Sequence, residues 1–217
     1  MRGVAGRSAK CGSMAMRVTG IEEISRSRSR VYIDDEFAFV LYKGELRLYH
    51  VAVGEEICQK DYDDILNQVL PKRAKLRAMN LLKNREYTVK QLHDKLKDGG
   101  YPEKVIETAL SYVAGYHYTD DLRYATGYIF DKECSRSRRR IEQDLRERGI
   151  DRDTLEKAWQ GWEEQGGSQD EMQMILKLLE KRHFDPDTAD MKEKQRTYAF
   201  LMRKGFSGEQ IGRALRV

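Results

Sequence analysis

The stretch IEQDLRERGIDRDTLEKAW, residues 141–159, decides the fold. Ile141 and Leu145 stand one helical turn apart, and Gly149 follows four residues later. Glycine takes the left-handed conformation that ends a helix without a Cβ penalty. Ile150 can then return to the core, and Asp151 offers an N-cap side chain. Leu155, Ala158 and Trp159 carry the apolar face of the helix that follows.

The same grammar occurs twice more, in LHDKLKDGGYPEKVIETAL (92–110) and TYAFLMRKGFSGEQIGRAL (197–215). The first has Leu96, Gly100, Tyr101, Pro102, Ile106, Ala109 and Leu110 in register. The second has Leu201, Gly205, Phe206, Ser207, Ile211, Ala214 and Leu215. Upstream of each pair lies another apolar-faced segment, with Ala78, Leu81 and Leu82, then Ala125 and Ile129, then Met174, Ile175, Leu178 and Leu179. A three-helix unit of about fifty residues is therefore repeated three times, and such units bury their apolar faces by stacking on their neighbours. The basic run SRSRRR (135–140) opens the middle helix of the second unit, where TVKQ (88–91) stands in the first.

Ahead of the repeats the texture changes. RVYIDDEFAFVLY (30–42) places two apolar-aromatic runs around an Asp-Asp pair, the pattern of a hairpin. LRLYHV (46–51) alternates well enough to predict a further strand, and Gly54 ends the sheet. The expected fold is mainly α, with three tandem three-helix repeats in an elongated array behind a small β-rich segment. The boundaries read as a leader over 1–16, β-rich 17–60, and repeats over 61–117, 118–166 and 167–217.

Composition fits that array: the chain is 40% hydrophobic and 35% charged, with a net charge of only +4. Lys and Arg total ten in each of the stretches 1–60, 61–118, 119–167 and 168–217, so an electrostatic partner must be met by local patches rather than a basic tail. Cys11, Cys58 and Cys134 are scattered and odd in number, which points to a reducing compartment. No apolar run is long enough for a membrane span. The leader lacks the apolar stretch of a secretory signal.

No phosphate-binding glycine loop, nucleophile elbow or dinucleotide motif occurs. The four histidines show no zinc spacing, so neither a metal nor a cofactor is expected. Asp120 and Asp121 read as helix-start carboxylates, favoured there by capping and by the helix dipole. Gly100, Gly149 and Gly205 are the structural turns. Trp159 falls on a core position of the repeat, whereas Trp162 fits either core or surface. Three basic elements are candidates for partner or DNA contact: Arg136, Arg138, Arg139, Arg140 and Arg146; Lys72 and Arg73; and Arg26, Arg28 and Arg30 in a SRSRSR hairpin tip. Glu142, Asp144 and Glu147 interleave with the first of these, so a solvated face with internal ion pairs competes with a contact patch. Arginine suits carboxylates and phosphates alike, so residue type does not choose between protein and DNA.

The junction YHYTDDLRYATGYI (116–129), the first unit AMNLLKNREYTVKQLHDKLKDGGYPEKVIETALSYV (78–113) and RKGFSGEQIGRAL (203–215) resemble the RecX family. The family spacing falls on Tyr118, Asp120, Asp121, Arg123, Tyr124 and Ala125, and Thr119 departs from the apolar residue expected beside them. The resemblance covers about 70–217, with a weaker echo over 18–60. It implies a cytoplasmic regulator without enzymatic activity that lodges in the groove of the RecA–DNA filament. There it would restrain ATP hydrolysis, strand exchange and coprotease function, with weak contact to single- or double-stranded DNA. The chain is expected to act as a monomer. Composition and spacing alone stop at a helical array with basic patches, and the alternative is a non-specific nucleic-acid-binding helical module with no RecA partner.

Overall fold

A computed structural model describes residues 16–216. The expected leader lies almost wholly outside them. The described chain forms two compact units, residues 16–85 with 92–118, and residues 86–91 with 119–216.

The first unit begins with β1 (Met16–Glu23), β2 (Arg28–Ile33) and β3 (Glu36–Tyr42), consecutive antiparallel strands. Asp34 and Asp35 take φ of +49° and +66°, the conformation of a two-residue hairpin turn that Asp tolerates. Ser29, Val31 and Ile33 point to the buried side of β2, while Arg28, Arg30 and Tyr32 point away. β4 (Glu56–Ile57) adds to β1, giving the order β3-β2-β1-β4. Only Ser25–Ser27 turns the SRSRSR stretch; Arg28 and Arg30 belong to a strand, not to a hairpin tip.

LRLYHV is not a strand. Lys43–Leu48 forms α1, because Glu45 reaches back to accept from the Tyr42 amide at 2.7 Å. This local capping prevails over a weak alternation. After α2 (Gln59–Asp64), a π-helical turn over Ile65–Val69 leads into α3 (Leu70–Leu82). Pro71, which has no N–H to donate, falls in the first turn of α3 just after this widened segment. α4 (Val89–Lys97) and α5 (Glu103–Gly115) complete the first three-helix repeat. Its expected core residues Leu96, Ile106 and Ala109 are buried, but Tyr101 and Leu110 are only half-buried. Tyr101 has a polar tip and sits 5.8 Å from the Arg73 guanidinium, so its ring stays at the margin.

In the second unit, α6 (Asp121–Lys132), α7 (Arg138–Glu147) and α8 (Arg152–Glu164) form one repeat, and α9 (Glu171–Lys181), α10 (Met191–Arg203) and α11 (Gly208–Leu215) form the next. Side chains of Asp120, Ser137, Asp151, Asp170, Asp190 and Ser207 cap the six helix starts, each accepting a backbone N–H three residues on. Ile141, Leu145, Ile150, Leu155, Ala158, Trp159 and Trp162 close the first core around Ala125 and Ile129. Met174, Ile175, Leu179, Leu201, Phe206, Ile211 and Leu215 build the second.

Gly100, Gly149 and Gly205 have φ of +78°, +89° and +92°. Each also lies against a neighbouring element. A methyl on Gly149 would come within 2.6 Å of Lys90 Cδ, and one on Gly205 within 2.5 Å of Ser137 Oγ. One on Gly100 would overlap Val40 of β3. The glycine turn of one repeat thus docks on the start of the middle helix of the repeat before it. Thr88 Oγ1 donates to the Arg148 carbonyl at 2.6 Å, and the Ser137 amide donates to the Lys204 carbonyl at 3.1 Å, which satisfies carbonyls at the ends of α7 and α10. In the first repeat, where no earlier repeat exists, the glycine turn meets the sheet instead.

Candidate functional site

The run at residues 135–140 owes its geometry to one buried acid. Asp144 lies between Ile141 and Leu145 on the inward face of α7 and is 4% exposed. Arg136, in the α6–α7 loop, donates to Asp144, and Arg140, one turn before it, pairs with Asp144 at 2.9 Å. The Tyr128 hydroxyl donates to Asp144 at 2.9 Å and accepts from Arg136 at 3.0 Å. A buried carboxylate without cations would be costly, so these two arginines are components of the fold. Arg138 is held by Glu142 at 3.2 Å and Glu163 at 2.9 Å, with its guanidinium 4.5 Å from the Trp159 ring centroid. Arg146 pairs with Glu142 at 2.9 Å. Arg139 is exposed and makes no ion pair among the described residues.

Internal ion pairs, one of the two readings of this run, hold Arg136, Arg138 and Arg140 through acids on α7 and α8, and within the run 136–140 Arg139 alone of the arginines makes no ion pair among the described residues. Cations still crowd here. The Lys204 ammonium is pushed down from its ordinary value by burial and by nearby Arg136 and Lys132.

Arg73 is likewise turned inward. It pairs with Glu45 at 2.7 Å, donates to the Val40 carbonyl at 3.3 Å and lies 4.3 Å from the Tyr42 ring centroid. Lys72 beside it is exposed. Arg30 shares Glu22 at 3.3 Å, whereas Arg26 and Arg28 make no ion pair among the described residues. Lys72, Arg73, Arg26, Arg28 and Arg30 belong to the first compact unit, and Arg136–Arg146 to the second.

The junction motif organises the repeats. Asp120 accepts from the Arg123 amide at 2.9 Å and caps α6. Asp121 accepts from the Val89 amide at 2.9 Å, and burial pushes its carboxyl upward. Arg123 reaches Glu86 at 2.9 Å, Ala125 is buried, and Tyr124 stacks against Tyr128. Asp121 and Arg123 thus tie the start of α6 to the start of α4. In the first unit Tyr118 is 48% exposed and stacks on Tyr116, with ring centroids 5.9 Å apart. Thr119 is buried, as the apolar residue expected at its position would be.

Sequence reading missed one further anchor. Gln169 in the α8–α9 linker donates to the Glu133 carbonyl at 2.7 Å and to the Arg136 carbonyl at 3.1 Å. Asp144 reads from sequence as an ion-pair partner of the run, and its burial was legible too, since an acid flanked by two inward apolar positions demands cations. Among the described residues no group of three or more His, Cys, Asp or Glu could hold a metal ion, and no helix is long and apolar enough to cross a membrane. Cys58 and Cys134 are unbridged.

Comparison with known proteins places this architecture. The family models for the first, second and third three-helix domains of RecX match residues 74–112, 120–158 and 169–215. "Regulatory protein RecX" of Caldanaerobacter subterraneus subsp. tengcongensis is 32% identical over 196 residues, covering 90% of this chain and 95% of the relative. The protein of the same name from Bacillus subtilis is 27% identical over 190 residues, covering 87% of this chain and 71% of the relative. A crystal structure of regulatory protein RecX shares the fold with a TM-score of 0.52 at 22% identity, covering 93% of this chain and 98% of that one. A crystal structure of RecX from Lactobacillus salivarius gives 0.51 at 20% identity, covering 68% and 96%. Three repeats in family order, and a relative matched over nearly its whole length, establish that this chain belongs to the RecX family of regulatory proteins.

Proposed function

We propose that this chain regulates a RecA-type recombinase: it binds the RecA–DNA filament and restrains ATP hydrolysis, strand exchange and coprotease activity. The observation that carries this reading is family membership across all three repeats. The chain acts by binding, in the cytoplasm, as a monomer and without a cofactor. Two surfaces support contact with a polyanionic filament: the exposed Arg139 on α7, and the β2 face with Arg28 and Arg30. Against the rival reading, a nucleic-acid module with no RecA partner, stands the commitment of Arg136 and Arg140 to the buried Asp144, which takes two cations out of the run. Capture from a bacterial lysate, with and without nuclease, separates the two. Recovery of a RecA-type ATPase is the expected result, and recovery of nucleic acid with no such ATPase would refute it.

A further inference from the structure

The outward face of the N-terminal sheet carries a cleft of about 500 Å³ between β2–β3 and the α4–α5 turn. Tyr32 and Phe37 form its aromatic floor, edge to face with centroids 6.0 Å apart, and Phe37 is 46% exposed. Gly20 lies opposite Tyr32 on β1, so no side chain covers the ring from that strand. Arg28, Arg30 and Lys97 stand around the rim. Arg28 and Lys97 make no ion pair among the described residues, and Arg30 is held only by half-exposed Glu22 at 3.3 Å, a weak tie in water. The carboxylates present are Glu22, occupied by Arg30 and Tyr32, and Asp98.

We propose that this cleft is a binding site for single-stranded nucleic acid, with unpaired bases stacking on Phe37 and Tyr32 and phosphates meeting Arg28, Arg30 and Lys97. Exposed aromatic rings flanked by cations are how proteins hold single strands without sequence preference. Arg28 and Arg30 are two residues apart on one strand face, about 7 Å, comparable to the step between successive phosphates of an extended strand. A duplex, whose base faces are stacked away, cannot use the rings. An acidic protein segment would use the cations and leave the aromatic pair idle. The proposal deepens the DNA contact in the reading above, but it can stand or fall apart from RecA.

The test uses the full chain and a fluorescently labelled oligothymidylate, read by anisotropy at low salt. Phe37→Ala is expected to weaken binding at least fivefold, and Lys97→Glu to weaken it and flatten the salt dependence by about one phosphate contact. Halogenated thymidine in the oligonucleotide should photo-crosslink to Tyr32 or Phe37. Circular dichroism should show both variants folded, since both side chains are at the surface. Unchanged affinity in both variants, crosslinks mapping only to other regions, or polyglutamate displacing the strand with no effect of Phe37→Ala would each overturn the proposal. So would a wild-type chain that ignores the oligonucleotide, even if it still slows RecA. Phe37-dependent binding with no effect on RecA would uphold the cleft and sink the regulatory reading alone.

Discussion

Replacing Gly149 with alanine tests the way the repeats stack. The residue sits at φ +89°, where a side chain costs about 1–2 kcal/mol. The added methyl also runs into Lys90, at its Cβ as well as further out, so a flexible tip moving aside does not relieve the overlap. The α7–α8 turn must move away from the start of α4, and the 2.6 Å bond from Thr88 to the Arg148 carbonyl lies in that seam. Losing it adds about 0.5–1.5 kcal/mol. The total is about 2–3 kcal/mol, or a fall in melting temperature of roughly 5–10 °C at about 2–4 °C per kcal/mol for a chain of this size. Gly127→Ala is the matched control: this glycine is exposed within α6, with open space where the methyl would go. That change should stabilise by about 0.5–1 kcal/mol. Thermal unfolding followed by circular dichroism measures both. Equal melting temperatures for Gly149→Ala and the wild type would refute the docking role of the turn.

Asp144→Asn should destabilise by about 2 kcal/mol, less than a fully buried pair would lose because Arg136 and Arg140 can reach water; urea unfolding checks it, and no change would show that the arginines need no buried partner. Arg139→Ala should leave stability within about 0.5 kcal/mol, while a large loss in the same assay would mean that Arg139 has a structural contact after all. His93 bonds Glu103 at 2.6 Å, linking α4 to α5, and this bond raises the imidazole above its ordinary 6.5 despite partial burial. A raised folded-state value means the stabilisation is complete below pH 6.5 and disappears as pH rises through that value. His93→Gln should therefore be less stable than wild type in acid and match it in alkali, and a constant difference across that range would refute the linkage.

The repeats were legible because each carries its own local signals. A leucine, a glycine four residues on, an apolar residue and a capping side chain specify a helix end and a helix start without reference to the rest of the chain. The hairpin at Asp34-Asp35 was legible for the same reason. The strand expected over LRLYHV was not there, since six residues of loose alternation are overruled by one glutamate at the third position of a helix. The arginine run was legible in part. Arg138–Glu142, Arg140–Asp144 and Arg146–Glu142 are the pairs one helical turn apart that the interleaved acids announce, whereas Arg138–Glu163, twenty-five residues apart, and the burial of Asp144 are settled by packing. The cleft over Tyr32 and Phe37 was hidden further still, because its far wall is the α4–α5 turn, some sixty residues away.

The central claim is regulation of a RecA-type recombinase, and the rate of ATP hydrolysis by RecA assembled on single-stranded DNA tests it most directly. With increasing amounts of the folded chain the rate should fall toward that of RecA without DNA, while the chain alone hydrolyses no ATP. An unchanged rate at large molar excess of correctly folded protein would contradict the account.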